Sequence, residues 1–224
     1  QPTRDEGAEI TAVPSTYDQA VRAAAHDGGL LVQDTAWAGY EDVPGWIVDG
    51  YSTLFREIDA QLGSDRPDVV LVPTGVGSLL QAALTHYRGM LADTAVVSVE
   101  PVGAACVQAS VAAGAPVTVT PGHTVMAGLN CGTVSSIAWP VIHAGLDGAA
   151  TVTDAQAAAA ANDLAAYGIA AGPCGAAPLA AARTLARASP DATLVLLVTE
   201  GATANPARTP ADGSTSGAAA ATAG

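Results

Sequence analysis

The chain has 224 residues; half are hydrophobic but only 4% are aromatic, and alanine supplies much of the apolar share. Twenty-one acidic residues against eight basic ones leave a formal charge of −13, which excludes the clustered positive face that nucleic acid or an anionic membrane surface requires. No apolar run approaches the roughly 20 residues that cross a bilayer.

The opening stretch, QPTRDEGAEI, has no initiator methionine and no apolar signal core, and reads as an entry into the middle of a longer chain. Residues 8–13 (AEITAV) read as a strand, 17–27 as a helix closed by Gly28 and Gly29, and 30–33 (LLVQ) as a short buried strand. Pro44 opens a helix in which Ile47, Tyr51, Leu54, Phe55, Ile58 and Leu62 fall at helical spacing, and Gly63 ends it. Residues 68–73 (DVVLVP) are a strand. Ser78 is a candidate N-cap for a helix over 79–90, with Leu79, Leu80, Ala83, Leu84 and Tyr87 on one face. Residues 95–101 (AVVSVEP) give another strand, and a helix follows to about residue 113. Residues 115–135 are irregular. A helix over 137–144, a strand over 150–154 and an alanine-rich helix over 155–167 capped by Asp154 come next. After the Gly/Pro-rich stretch 168–178 come a helix over 178–188 and a strand over 192–199; beyond Gly201 the composition is that of a loose tail.

Continuous apolar strands alternating with helices imply an α/β fold: a mostly parallel sheet covered by helices on both faces. Ligands of such sheets sit beyond the carboxyl ends of the strands. Three glycine-containing turns fall there, at 74–78, 172–176 and 200–201.

The turn TGVGS follows a strand and opens a helix. Glycine lets the backbone approach a ligand closely, and the helix start offers free N–H groups and a positive dipole end. Either an anion seat or a tight strand-to-helix turn would use this pattern. It is neither a Walker A loop nor a complete dinucleotide fingerprint. In QDTAWAGYEDVPGW, Asp34 follows a strand and is a candidate general base or a loop acid. MAGLNCG (126–132) is a glycine-rich loop. Cys174 precedes a glycine and a helix, without a neighbour that would activate it as a nucleophile. Three cysteines without a CxxC pair argue against a zinc site or a secreted disulfide scaffold. His26, His86, His123 and His143 show no metal spacing; His123 alone lies beside the 126–132 loop.

Taken in order, LVQDTAWAGYEDVPGWIVDGY, VPTGVGSLLQAA, VVSVEP, HTVMAGLNCG, YGIAAGPCGAAPLAAA and LLVTEGAT resemble the carboxyl-terminal part of the diaminopropionate ammonia-lyases, over about residues 8–205. These are fold type II pyridoxal 5′-phosphate (PLP) enzymes, related to the tryptophan synthase β chain and the serine/threonine dehydratases. QDTAW.GYE and MAGL.CG are the specific parts; GVGS and EGAT are shared more widely in the group. The resemblance implies α,β-elimination of 2,3-diaminopropionate to pyruvate and ammonia, with a small amino acid as substrate. It implies that Gly75, Val76, Gly77, Ser78 and Leu79 hold the PLP phosphate, that Asp34 is the acid–base carboxylate, and that Cys174 faces the pyridine nitrogen. It also implies a cytoplasmic homodimer at full length, in which residues 1–33 close a small domain and 34–202 form part of the large PLP-binding domain, with 203–224 a tail. Cys106 and Cys131, both expected near the site mouth, leave two alternatives open, a disulfide or two free thiols.

One departure is chemical. Such enzymes hold PLP on a lysine, and all eight basic residues here are arginine. The expectation is therefore a fragment of a longer enzyme, inactive by itself; the alternatives are a serine/threonine dehydratase-like PLP enzyme and a lysine-less, non-catalytic remnant of the fold.

Overall fold

The computed structural model describes residues 2–25, 29–91, 93–188 and 191–203. Its centre is a four-stranded parallel sheet among the described residues, in the order β3-β2-β1-β4. The strands are β1 (Val69–Pro73), β2 (Ala95–Pro101), β3 (Gly148–Val152) and β4 (Leu194–Leu196). The helices are α1 (Pro2–Asp5), α2 (Tyr17–Ala24), α3 (Asp42–Leu62), α4 (Ser78–Met90), α5 (Cys106–Ala113), α6 (Ala138–Gly145), α7 (Asp154–Ala166) and α8 (Pro173–Ala188). No helix among the described residues is long and apolar enough to cross a membrane.

The period of two along β1 sorts the core into two layers. Val70 and Val72 face one way and pack with Phe55, Leu80, Leu84, Tyr87, Val96 and Ile142 beneath α3, α4 and α6. Leu71 faces the other way and packs with Val99, Val152, Leu164 and the alanines of α7 and α8. Those alanines account for the composition. Ala157, Ala160, Ala176 and Ala177 are fully buried, so two helices approach each other and the sheet closely without bulky side chains. Arg88 fastens the α4 end to the α6 end: its Nε donates to the Gly145 carbonyl at 3.0 Å, its Nη1 to the Thr94 carbonyl at 2.8 Å, and it pairs with Asp147.

Several local expectations differ. Residues 8–13 and 30–33 are not strands; Leu30 and Val32 are 88% and 65% exposed. A strand needs a partner for its ladder, and no neighbouring strand meets either segment among the described residues. The predicted strand over 192–199 is paired only at Leu194–Leu196, because β4 lies at the sheet edge against β1 alone. Helix α8 begins at Pro173, five residues earlier than expected, with a proline at its first position as helix starts favour. Thr153, not Asp154, caps α7, through a capping box with Gln156; Asp154 instead accepts from the Thr124 hydroxyl and the Val125 N–H. The helix expected over 17–27 ends at Ala24 among the described residues, and 26–28 and the tail from 204 lie outside them.

Phe55 is fully buried, 5.8 Å from the Tyr87 ring and 5.6 Å from that of His86. Phe55→Ala should lower unfolding stability by about 3–5 kcal/mol in urea titrations. A loss under about 1 kcal/mol would show that α3 does not share the core of the sheet.

Candidate active site

The cavity of interest, about 580 Å3, opens beyond the carboxyl ends of β1 and β4. Its floor is the stretch from Pro73 to Leu80. Thr74 is buried and turns the chain: its N–H donates to the Val99 carbonyl and its hydroxyl to the Val72 carbonyl, both at 2.8 Å. Gly77 has φ of +104°, and a Cβ there would come within 2.9 Å of Ile142 Cδ1. A Cβ at Gly75 would lie 3.0 Å from Cys131 Sγ and 3.1 Å from the Gly128 carbonyl oxygen. Both glycines are therefore required by the backbone or by its neighbours. Gly77, not Ser78, occupies the cap position, and Ser78 is the first helical residue.

The N–H groups of Gly75, Val76, Gly77, Ser78 and Leu79 meet no acceptor among the described residues. They are the free donors that a helix start leaves, here extended by the loop and placed at the positive end of the 13-residue α4. A phosphate dianion fits this set: it offers acceptors to several donors at once and needs no cation beside it.

Asp34 lines the same cavity. Its segment is braced from within. Gln33 brackets Thr35 by accepting its N–H at 2.6 Å and donating to its carbonyl at 2.5 Å. Tyr40 donates to the Leu31 carbonyl at 2.9 Å, and its ring stacks on Trp37 at 4.6 Å. The aromatics of the QDTAWAGY stretch thus hold the loop in shape. The Asp34 carboxylate accepts from Tyr17 at 2.9 Å through Oδ1. The Ser78 hydroxyl donates to the Asp34 carbonyl at 3.1 Å and lies 3.5 Å from Oδ2. Partial burial, then the charge of Asp34, push the Tyr17 hydroxyl above its ordinary range, so it stays a donor at neutral pH. Sequence reasoning missed Tyr17; its position at the start of an amphipathic helix was the one available signal.

The far wall is formed by Ala127, Gly128, Leu129 and Cys131, with Val198 and Thr199. Gly132 donates its N–H to Asp18 of α2 at 3.2 Å, which ties that helix to the loop. Cys174 is buried in the first turn of α8 and is not a wall residue. A Cβ at Gly128 would lie 3.4 Å from its Sγ, so the thiol stands behind that glycine. The Cys174 N–H donates to Glu200 Oε2 at 2.7 Å. Burial and the Glu200 carboxylate push its thiol up to about 12, and burial does the same for Cys131, so both stay neutral. His123 is exposed and does not line the cavity.

Of the two alternatives for Cys106 and Cys131, the structure has the free thiols and not the disulfide. Cys106 and Cys131 are free, buried thiols. Cys106 Sγ is turned to the Gly75 carbonyl, 3.6 Å away, while Cys131 Sγ fills the space that a Cβ on the same glycine would enter. Each sulfur is used to shape the seat loop.

The fold is that of an α/β protein with a cavity beyond the carboxyl ends of its strands, floored by the turn after β1. The chain matches the pyridoxal-phosphate dependent enzyme family over residues 1–200 and belongs to it. It is 38% identical over 151 residues to the diaminopropionate ammonia-lyase of Salmonella typhimurium, which covers 62% of this chain and 37% of that one. It is 40% identical over 114 residues to the biosynthetic L-threonine dehydratase of Mycobacterium leprae, covering 49% of this chain and 25% of that one. Among solved structures, diaminopropionate ammonia-lyase from Escherichia coli, in complex with an aminoacrylate–PLP azomethine reaction intermediate, superposes with a TM-score of 0.76 at 31% identity, over 88% of this chain and 57% of that one. The chain therefore spans well under half the length of the curated relatives it matches.

Glu100, at the end of β2, is fully buried and accepts the Val107 and Gln108 N–H groups of α5 at 2.8 Å each. Burial raises its carboxyl from 4.5 to about 7, and the two N–H donors pull it only part of the way back. Between those values the unfolded chain has released a proton that the folded chain keeps, so rising pH removes stability. From the size of the shift, this group should cost about 3 kcal/mol as pH rises from about 4.5 to 7. Urea midpoints measured across that range should fall for the native chain, and the fall should shrink in Glu100→Gln. An equal slope in both proteins would assign the pH dependence elsewhere.

Proposed function

We propose that residues 75–79 seat the phosphate of PLP, and that these residues serve an ammonia-lyase that converts 2,3-diaminopropionate to pyruvate and ammonia. The observation that carries this is one cavity holding both a run of backbone donors unpaired among the described residues and the Asp34 carboxylate, with the Ser78 hydroxyl donating to the Asp34 carbonyl. PLP, when bound, supplies the electron sink that stabilises negative charge at the amino-acid α-carbon.

The remaining work falls to the chain. The donors of Gly75 to Leu79 fix the phosphate end. Asp34, bonded to Tyr17, holds or moves a proton at the substrate carbon or at the leaving amine, and its charge favours a substrate with a second ammonium group. Leu54, Ile58, Leu79 and Val198 give the cavity an apolar lining that excludes water. Cys174 and Cys131, kept neutral, add no second negative charge beside the seat. The resemblance adds a cytoplasmic homodimer to the proposal for the full-length enzyme, with residues 1–33 and 34–202 in different domains.

A serine/threonine dehydratase-like reaction is the alternative, favoured by the similarity to L-threonine dehydratase. The QDTAWAGYE segment and the longer match to diaminopropionate ammonia-lyase support the first assignment. Competition between the two substrates separates them. The chain contains no lysine, so it has no side chain to tether the cofactor covalently.

The purified chain should therefore bind PLP reversibly, with borohydride fixing none to the protein, and release no pyruvate from diaminopropionate. Pyruvate at rates above the protein-free control would refute the inactivity. Pyridoxal, which lacks the phosphate, should bind at least about 100-fold more weakly than PLP in fluorescence titrations, since it forfeits several charge-assisted bonds. Equal affinities would sink the seat assignment.

A further inference from the structure

Asp34 belongs to the segment before α3, while the seat belongs to the turn after β1, and the two must keep a fixed separation if one ligand is to span them. One buried residue from a third part of the chain joins them. Ser135 is fully buried, just before α6. Its N–H donates to the Val76 carbonyl at 2.8 Å, in the middle of the seat loop. Its hydroxyl oxygen accepts the Ala36 N–H at 2.8 Å, two residues beyond Asp34. The next residue, Ser136, donates its N–H to the Ala36 carbonyl at 3.1 Å. The Ser135 carbonyl itself accepts the N–H groups of Ala138 and Trp139, so the link is rooted in the first turn of α6. That same helix supplies the Ile142 and Ala138 atoms against which Gly77 is packed.

We propose that Ser135 is a positioning residue that sets the Asp34 carboxylate at a working distance from the phosphate seat. The inference rests on the assignment of the seat and of Asp34 given above. The two bonds of Ser135 differ in kind, which makes the proposal separable. The bond to the seat loop is made by backbone and survives any substitution except proline. The bond to the carboxylate segment is made by the side chain and is lost in Ser135→Ala, which leaves the Ala36 N–H buried without that acceptor. Substitution should therefore disturb Asp34 and spare the seat.

The test uses two ligands of the intact chain. Inorganic phosphate probes the seat alone. The borohydride-reduced adduct of PLP with 2,3-diaminopropionate, which is stable, probes the seat and the Asp34 end together. Wild type should bind both. Ser135→Ala should bind phosphate as wild type does and the adduct about tenfold more weakly, the loss of one neutral bond and its consequences. Ser135→Thr, which restores a hydroxyl, should recover adduct affinity. Asp34→Asn should also weaken the adduct, and adding Ser135→Ala to it should cost little more. Ser135→Cys, of similar volume and a poor acceptor, replaces the alanine variant if that one fails to fold by circular dichroism. Unchanged adduct affinity in a folded variant lacking the hydroxyl would overturn the positioning role alone. Equal weakening of both ligands would make Ser135 a general structural residue and overturn it as well. Failure of wild type to bind the adduct would overturn the assignment of the site, and this inference with it.

Discussion

Backbone N–H groups that the fold leaves unpaired are the constraint around which this structure is arranged. A helix start always leaves such donors, and burying them without partners is costly. Here, among the described residues, the turn after β1 extends the unpaired run from Gly75 to Leu79 and lines a cavity with it. The surroundings then follow. Gly77 needs a positive φ to make the turn, which strains any other residue there, and a side chain would also push on Ile142. A side chain at Gly75 would crowd Cys131 Sγ and the Gly128 carbonyl, which would have to give way. The thiol of Cys106 is spent on the Gly75 carbonyl, which leaves the amides of the loop as the groups presented to a ligand.

The acidic character of the chain makes sense beside this. An anion seat made of amides and a helix dipole needs no lysine or arginine, so it can sit in a protein of charge −13. The nearby carboxylates are kept occupied rather than free. The Asp34 carboxylate accepts from Tyr17, Asp18 from Gly132, Glu200 from Cys174, and Glu100 from two amides of α5. Of these, Asp34 lines the cavity, which leaves it the carboxylate able to meet a substrate there.

Much of this was legible in the chain itself. The valine runs of β1 and β2 announced buried parallel strands, Gly63 marked the end of α3, and the TGVGS turn marked the start of α4, because each depends on neighbours close in sequence. What was not legible depends on distant partners. The apolar segments at 8–13 and 30–33 carry strand-like patterns, but pattern cannot say whether a strand lies alongside to pair with them. Tyr17 reaches Asp34 across 17 positions, and Ser135 reaches Ala36 across 99. No periodicity records either contact. The spacing of Cys106 and Cys131 allowed a disulfide; the direction in which each sulfur points did not follow from spacing, and the two thiols are free.

The central claim is that the backbone amides after β1 are the phosphate site. It is tested most directly by following amide resonances of the chain while inorganic phosphate is added. The largest shifts should fall on Gly75, Val76, Gly77, Ser78 and Leu79 and saturate together, with the amides of β3 and α7 unmoved. Saturable shifts centred elsewhere, or none at the loop while phosphate binds, would contradict it.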